Sequence, residues 1–165
     1  MRTFFFVAMS FVLLTFPMVA IGAPSVDELK ENVARLWQPL HKKQPQVTAQ
    51  ELKKIIDAGE NIYLVDIRSE AEYQAGHLPN AIHLKRGLLE WRAPERLTDT
   101  TRPIYLYCRT SARGAFAIER LSEIGYPNVF NVSDAFKGWV ESGFPIYNRH
   151  GEFILTKGGF EKKEN

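Results

Sequence analysis

From residue 24 onward the apolar positions fall into short blocks separated by glycine, proline and charged residues. Residues 25–37, SVDELKENVARLW, place Val26, Leu29, Val33 and Leu36 or Trp37 at helical spacing behind a serine that can cap. Pro39 and Pro45 bracket a polar stretch, PLHKKQP, that reads as a linker. In VTAQELKKIIDAG, Thr48 and Glu51 form a capping-box pair and Gly59 supplies a stop, so a helix is predicted over about 49–58.

The pattern then alternates. NIYLVDIRS carries an apolar strand from Ile62 to Val65, SEAEYQAGH one or two helical turns ended by Gly76, and NAIHL a second short strand. RGLLEWRAPERL reads as a brief helix broken at Pro94, and RPIYLYC as a third strand with Pro103 at its start, where a missing N–H is tolerated. Residues 113–124 put Phe116, Ala117, Leu121 and Ile124 on one helical face before Gly125. NVFNVS is a fourth strand, DAFKGWVESG the last helix, and the lysine-rich end from Lys157 a frayed tail. Strands alternating with helices predict an α/β layer architecture around a mainly parallel sheet.

The first 23 residues follow another rule. Arg2 precedes a run without charge until Asp27, with Pro17 inside it and Ala20, Gly22 and Ala23 at its end. This reads as a secretory signal peptide, with an uncleaved membrane anchor as the competing reading, since the run is near the roughly 20 apolar residues a spanning helix needs. Export, to a bacterial periplasm, is the expected location, and a membrane is a partner only if the segment is retained. Without it 142 residues remain, enough for one domain with its own core. They carry 20 basic against 19 acidic side chains, which argues against a general nucleic-acid binder.

The chain has one cysteine, so no intrachain disulfide can form. Cys108 falls where the third strand hands over to the helix at 113, at the carboxyl edge where open α/β sheets bind ligands. The small residues Thr110, Ser111 and Ala112 let the backbone curl so that its N–H groups form an anion nest, reinforced by the positive end of the next helix. A thiol seated there, with Arg109 and Arg113 beside it, is expected to ionise more readily than a free cysteine of pKa about 8.5. A buried structural cysteine is the alternative.

Several motifs together resemble the single-domain rhodaneses, the thiosulfate sulfurtransferases, and their exported bacterial branch. They are D-x-R at Asp66 to Arg68, E-Y-x-x-G-H-L-P-N-A from Glu72 to Ala81, the Cys108 loop, and F-x-x-W from Phe136 to Trp139. The resemblance implies a rhodanese-like three-layer fold, with a mainly parallel sheet of about five strands and helices on both faces. It divides the chain into a signal segment at 1–23, an N-terminal helix and linker at 24–46, the rhodanese domain at 47–147 and a polar tail at 148–165. The implied chemistry is a two-step exchange. The Cys108 thiolate takes the outer sulfur of thiosulfate and releases sulfite, and cyanide or a thiol, which includes the thiol of a protein partner, then removes the sulfur.

Neither a metal nor an organic cofactor is implied. Arg109, Thr110, Ser111, Ala112 and Arg113 would cradle the persulfide and substrate, with Arg113 alternatively turning back to an acid such as Glu72. Asp66, Arg68 and Glu72 are supporting residues that tie backbone and charges together. Two departures stand out: Ser111 and Gly114 occupy positions where many relatives carry Gly and Ser, and Asp134 and Ala135 replace a Gly-Gly pair before Phe136. If residue 111 needs a positive φ, serine is costlier there than glycine.

Other readings stay open. A persulfide carrier without turnover, or a redox or binding module, would share the fold. Phosphatases and arsenate reductases are more distant, because only four residues separate Cys108 from Arg113, whereas related phosphatase loops have five. His77 is expected to fix a turn by hydrogen bonding, and Trp91 and Trp139 are expected in the core.

Overall fold

The computed structural model describes residues 23–156 and 159–162. The segment expected to be a signal peptide therefore lies outside the described residues except for Ala23, and so do Lys157, Gly158 and the last three residues of the tail. No described helix is long and apolar enough to cross a membrane.

In chain order the elements are α1 (Val26–Lys43), β1 (Gln46–Val47), α2 (Ala49–Asp57), β2 (Tyr63–Asp66), α3 (Glu70–Ala75) and β3 (Ile82–His83). A 3₁₀ turn (Arg86–Leu88) leads into α4 (Leu89–Arg96), followed by β4 (Ile104–Tyr107), α5 (Ala112–Glu123), β5 (Val129–Val132) and α6 (Ala135–Glu141). The chain closes with β6 (Ile146–Asn148), β7 (Gly151–Thr156) and β8 (Gly159–Lys162). The first five strands form one parallel sheet in the order β1-β5-β4-β2-β3, and the last three a separate antiparallel sheet in sequence order.

Strand parity sorts the core. Tyr63, Val65 and Ile67 from β2 and its exit, with Ile104, Leu106 and Cys108 from β4 and its exit, pack against α4 and α5 through Leu89, Ala93, Ala117 and Leu121. Leu64, Tyr105, Tyr107 and Val132 face the other way, onto α2 and α6 through Leu52 and Trp139. This is the three-layer arrangement expected from the alternation of elements. Capping boxes start two helices: Thr48 with Glu51 at α2, and Ser69 with Glu72 at α3.

Four expectations are corrected. The linker at PLHKKQP is instead the last turns of α1, which runs through Pro39 to Lys43. Proline removes one helical hydrogen bond, but the Gln44 N–H donates to the Leu40 carbonyl and the Gln46 side chain holds the His41 carbonyl, so the turn beyond it is secured. Pro94 likewise sits inside α4, whose Leu89 and Ala93 are buried and whose Ala93 carbonyl accepts from Leu97. Trp91 is 78% exposed, and Ile124 too lies at the surface, whereas Trp139 is fully buried with its indole N–H on the Pro145 carbonyl. The segment expected as a polar tail from residue 148 contains β7 and β8; Phe153 buries itself in the α2–α6 core and supplies the apolar contact a tail would lack.

Candidate active site

Cys108 follows the last residue of β4, and parity turns its side chain to the α5 face, where it is 1% exposed. The loop from Cys108 to Ser111 is pinned at its start by α6: the Phe136 N–H donates to the Cys108 carbonyl at 3.0 Å and the Lys137 N–H to the Arg109 carbonyl at 3.2 Å. Ala135, just before, takes φ 53, so the position where a glycine was expected does use the left-handed region. At its end the loop turns into α5 through Ser111, whose φ of 74 and ψ of −32 lie where L side chains are strained. The loop N–H groups of Arg109, Thr110, Ser111, Ala112 and Arg113, and that of Gly114 behind them, meet no protein acceptor among the described residues, whereas the Ala115 N–H is bonded to the Ser111 carbonyl. These five loop donors are left open beside a cysteine and so are available to an anion that reaches the loop.

Charge is arranged around this loop in two tiers. Asp66 and Arg68 are buried together, with Arg68 Nη2 on Asp66 Oδ2 at 2.6 Å and Nε on both carboxylate oxygens at 3.0 Å. The guanidinium also donates to the Gly76 carbonyl at 2.7 Å and lies over the Phe136 ring at 3.8 Å. Burial works against the charge on Arg68, but the hydrogen bonds and charge of Asp66 outweigh it and raise its pKa.

Arg113 turns to Glu72 on α3, with nitrogen–oxygen distances of 3.3 and 3.5 Å. Burial raises the Glu72 carboxyl, yet the Ser69 backbone N–H, Arg113 and the Ser69 hydroxyl together bring it down to about 2. Of the two loop arginines, Arg113 thus takes the alternative role foreseen for it. Arg109 is exposed and has no ion pair among the described residues.

A cleft of about 260 Å³ opens over the loop, lined by Arg68, Glu72, Gly76 and Arg109 on its polar side and by Phe136, Ile146 and Leu155 on its apolar side. Ile146 and Leu155 come from the antiparallel sheet, so the C-terminal strands wall the site. Cys108 does not itself line this cleft. Among the described residues no group of three or more histidine, cysteine or acidic side chains is placed to hold a metal.

The profile of the rhodanese-like domain matches residues 48–142, more than half of the chain. The chain belongs to the rhodanese-like family. Its single buried cysteine stands at the active-site loop of that fold, and the resemblance read from the motifs is the correct one at the level of family. A sulfurtransferase of Allochromatium vinosum is 32% identical over 106 residues, which span 64% of this chain and 97% of that protein. YrkF of Bacillus subtilis is 27% identical over 95 residues, 58% of this chain and half of that protein.

Two solved structures share the fold. A Rhodopseudomonas palustris protein of unknown function, described as a possible tyrosine phosphatase, superposes with a TM-score of 0.66 at 21% identity, covering 76% of this chain and 99% of that one. A thiosulfate sulfurtransferase of Pseudomonas aeruginosa gives 0.63 at 22% identity, over 78% of this chain and 23% of the other.

Three contributors were not foreseen. Asn131 left a signal, a polar residue inside an apolar strand block, and it is fully buried beside the loop with Nδ2 on Ser111 Oγ at 2.8 Å. Leu155 and His41 left none, since each reaches the rhodanese loop or cleft only through tertiary placement. His77, by contrast, fixes a turn as expected: its ring Nδ1 donates to the Tyr73 carbonyl at 3.0 Å, and its backbone bridges Tyr147.

Proposed function

We propose that the chain is a sulfurtransferase that moves the outer sulfur of thiosulfate to cyanide or a thiol through a persulfide on Cys108. The observation that carries this is the loop of five open N–H donors behind a lone cysteine at the exit of β4. Membership of the rhodanese-like family and the sulfurtransferase relative support it.

In the first step the Cys108 thiolate attacks the outer sulfur; the new Sγ–S bond forms as the S–S bond of thiosulfate breaks, and sulfite leaves with the electron pair. In the second, the acceptor attacks the outer persulfide sulfur and the thiolate returns. Five N–H groups suit the negative charge on that outer sulfur, and Arg109, exposed and unpaired at the cleft, suits a dianionic donor. With four residues between Cys108 and Arg113 the loop is one residue shorter than a phosphate cradle of the related fold, which favours a single sulfur atom. Export to the periplasm belongs to the same proposal and rests on the apolar segment after Arg2. Amino-terminal sequencing of the protein from a periplasmic fraction tests it; a start at Met1 there would overturn cleavage.

The burial of Cys108 is the observation that suits a second reading, a persulfide carrier whose partner must open the loop. Mass spectrometry of the protein after thiosulfate separates them. A gain of one sulfur that cyanide removes catalytically is expected, with Cys108→Ser inert in both steps. Thiocyanate formed by Cys108→Ser at the parent rate, or aryl-phosphate hydrolysis as fast as cyanide sulfuration, refutes the reading.

A further inference from the structure

Helix α1 lies outside the residues the family profile matches, and none of its residues is buried. Val26, Leu29, Val33 and Leu36 are exposed, so the helix adds little to the core. Its last turn nevertheless reaches the Cys108 loop. His41 Nε2 stands 2.9 Å from Ser111 Oγ, and Gln44 Nε2 donates to the Ala115 carbonyl at 2.8 Å.

Gln46 sets the tautomer of His41. Its amide nitrogen donates to the His41 carbonyl and lies 2.9 Å from His41 Nδ1, and an amide nitrogen cannot accept. Nδ1 is therefore the acceptor, and Nε2 carries the proton that goes to Ser111. From the other flank Asn131 Nδ2 on β5 donates to the same Oγ at 2.8 Å. Ser111 Oγ is thus gripped by two donors from two different elements.

The grip falls on the most constrained backbone of the site. With φ at 74, Ser111 occupies a region that costs an L residue energy because its Cβ crowds the backbone. Relaxation to negative φ would swing away the N–H groups of the nest. Gly114 completes the arrangement, because a Cβ there would stand 2.4 Å from Asn131 Oδ1 and push the asparagine off its partner. The serine at 111 and the glycine at 114, separate oddities in the sequence, are two parts of one device: the serine offers an oxygen to hold, and the glycine leaves room for one of the hands.

We propose that α1 is a working part of the active site, in which His41, with Asn131, is a positioning residue that holds Ser111 at positive φ and so keeps the Cys108 loop arranged for sulfur. The proposal rests on the sulfurtransferase reading of Cys108, and its test includes measurements that do not need turnover.

His41→Phe keeps a ring against Trp37, whose centroid is 5.6 Å away, and removes the donor; His41→Gln restores an N–H at similar reach. Both are made in the full chain, alone and with Ser111→Gly. Amide hydrogen exchange of Ala115, Phe136 and Lys137, whose N–H groups donate to the loop carbonyls, iodoacetamide alkylation of Cys108 and thiosulfate-to-cyanide transfer are measured on each. Losing one hydrogen bond at a strained residue should speed loop exchange and alkylation about fivefold and lower kcat by a similar factor. His41→Gln should recover most of this, and in the Ser111→Gly background His41→Phe should change none of the three, because glycine holds φ 74 unaided.

Equal effects of His41→Phe in both backgrounds, or unchanged loop exchange with Ser111 in place, overturn the proposal. Should the parent transfer no sulfur while His41→Phe loosens the loop only when Ser111 is present, the positioning role is supported and the thiosulfate reading fails.

Discussion

The buried pair under the cleft offers a direct test of how the loop's surroundings are held. Asp66→Ala removes the carboxylate that takes both the Nε and Nη2 donors of Arg68 and also accepts the Arg68 backbone N–H at 2.9 Å. What remains to Arg68 is the Gly76 carbonyl and the faces of Phe136 and Tyr107, while its side chain is only 3% exposed. A buried charge stripped of its partner costs about 3–5 kcal/mol. With an m-value of about 2 kcal/mol/M, the urea midpoint should fall by about 2 M.

Asp66→Leu with Arg68→Met removes both charges at similar volume and should recover most of the loss. The remainder is the Gly76 carbonyl left without its donor and the Arg68 backbone N–H left without its acceptor, about 1 kcal/mol each. Equilibrium urea unfolding followed by tryptophan fluorescence measures all three proteins. A single variant that loses less than about 1 kcal/mol, or a double variant as unstable as the single one, would refute the argument that the pair's importance lies in mutual neutralisation.

Three further outcomes are expected. Arg109→Gln should raise the KM for thiosulfate about tenfold with little change in kcat, and Arg113→Gln should do so less, since Arg113 is committed to Glu72; steady-state kinetics decide, and equal KM effects count against the assignment. Glu72 is held below its usual pKa of 4.5, at about 2, so its contribution to stability is complete above pH 4.5 and is lost as pH falls toward 2. Glu72→Gln should then be less stable than the parent at neutral pH and converge with it in acid, and a gap independent of pH in thermal melts contradicts the linkage. Gly114→Ala should cost about 1–3 kcal/mol, because the buried Asn131 must shift and give up its hydrogen bond to Ser111; a melting temperature equal to the parent's would show that it need not.

The central sheet was readable because β2, β4 and β5 are short, mostly apolar runs rich in β-branched and aromatic residues, too short for helices and flanked by proline, glycine or charge. The Thr48–Glu51 pair announced α2 through local chemistry alone. Pro39 misled because a helix boundary was inferred from backbone preference, whereas contacts made 71 residues away in sequence, by Gln44 with Ala115, help keep that turn folded. β7 escaped notice since its apolar positions, Phe153, Ile154 and Leu155, sit among charges and gain a face only once β6 lies beside them. At the site, Cys108 and its small-residue loop were legible from residue types. The division of labour between Arg109 and Arg113 was not, because it depends on where α3 brings Glu72. That the thiol is covered was not legible in the loop itself, because it follows from the parity that turns Cys108 toward α5.

The antiparallel strands at the end of the chain separate two boundaries that are easily confused. The family match ends at residue 142, yet Ile146 and Leu155, beyond it, form part of the wall of the cleft. The unit by which this chain is recognised as kin therefore stops short of the unit that walls the cleft beside the loop. Homologues with the same loop but different sequence after the last helix would share a reaction while presenting different doorways to it. On the proposed sulfurtransferase reading, exchanging that appendage between relatives is a way to change which acceptor enters without touching the nucleophile.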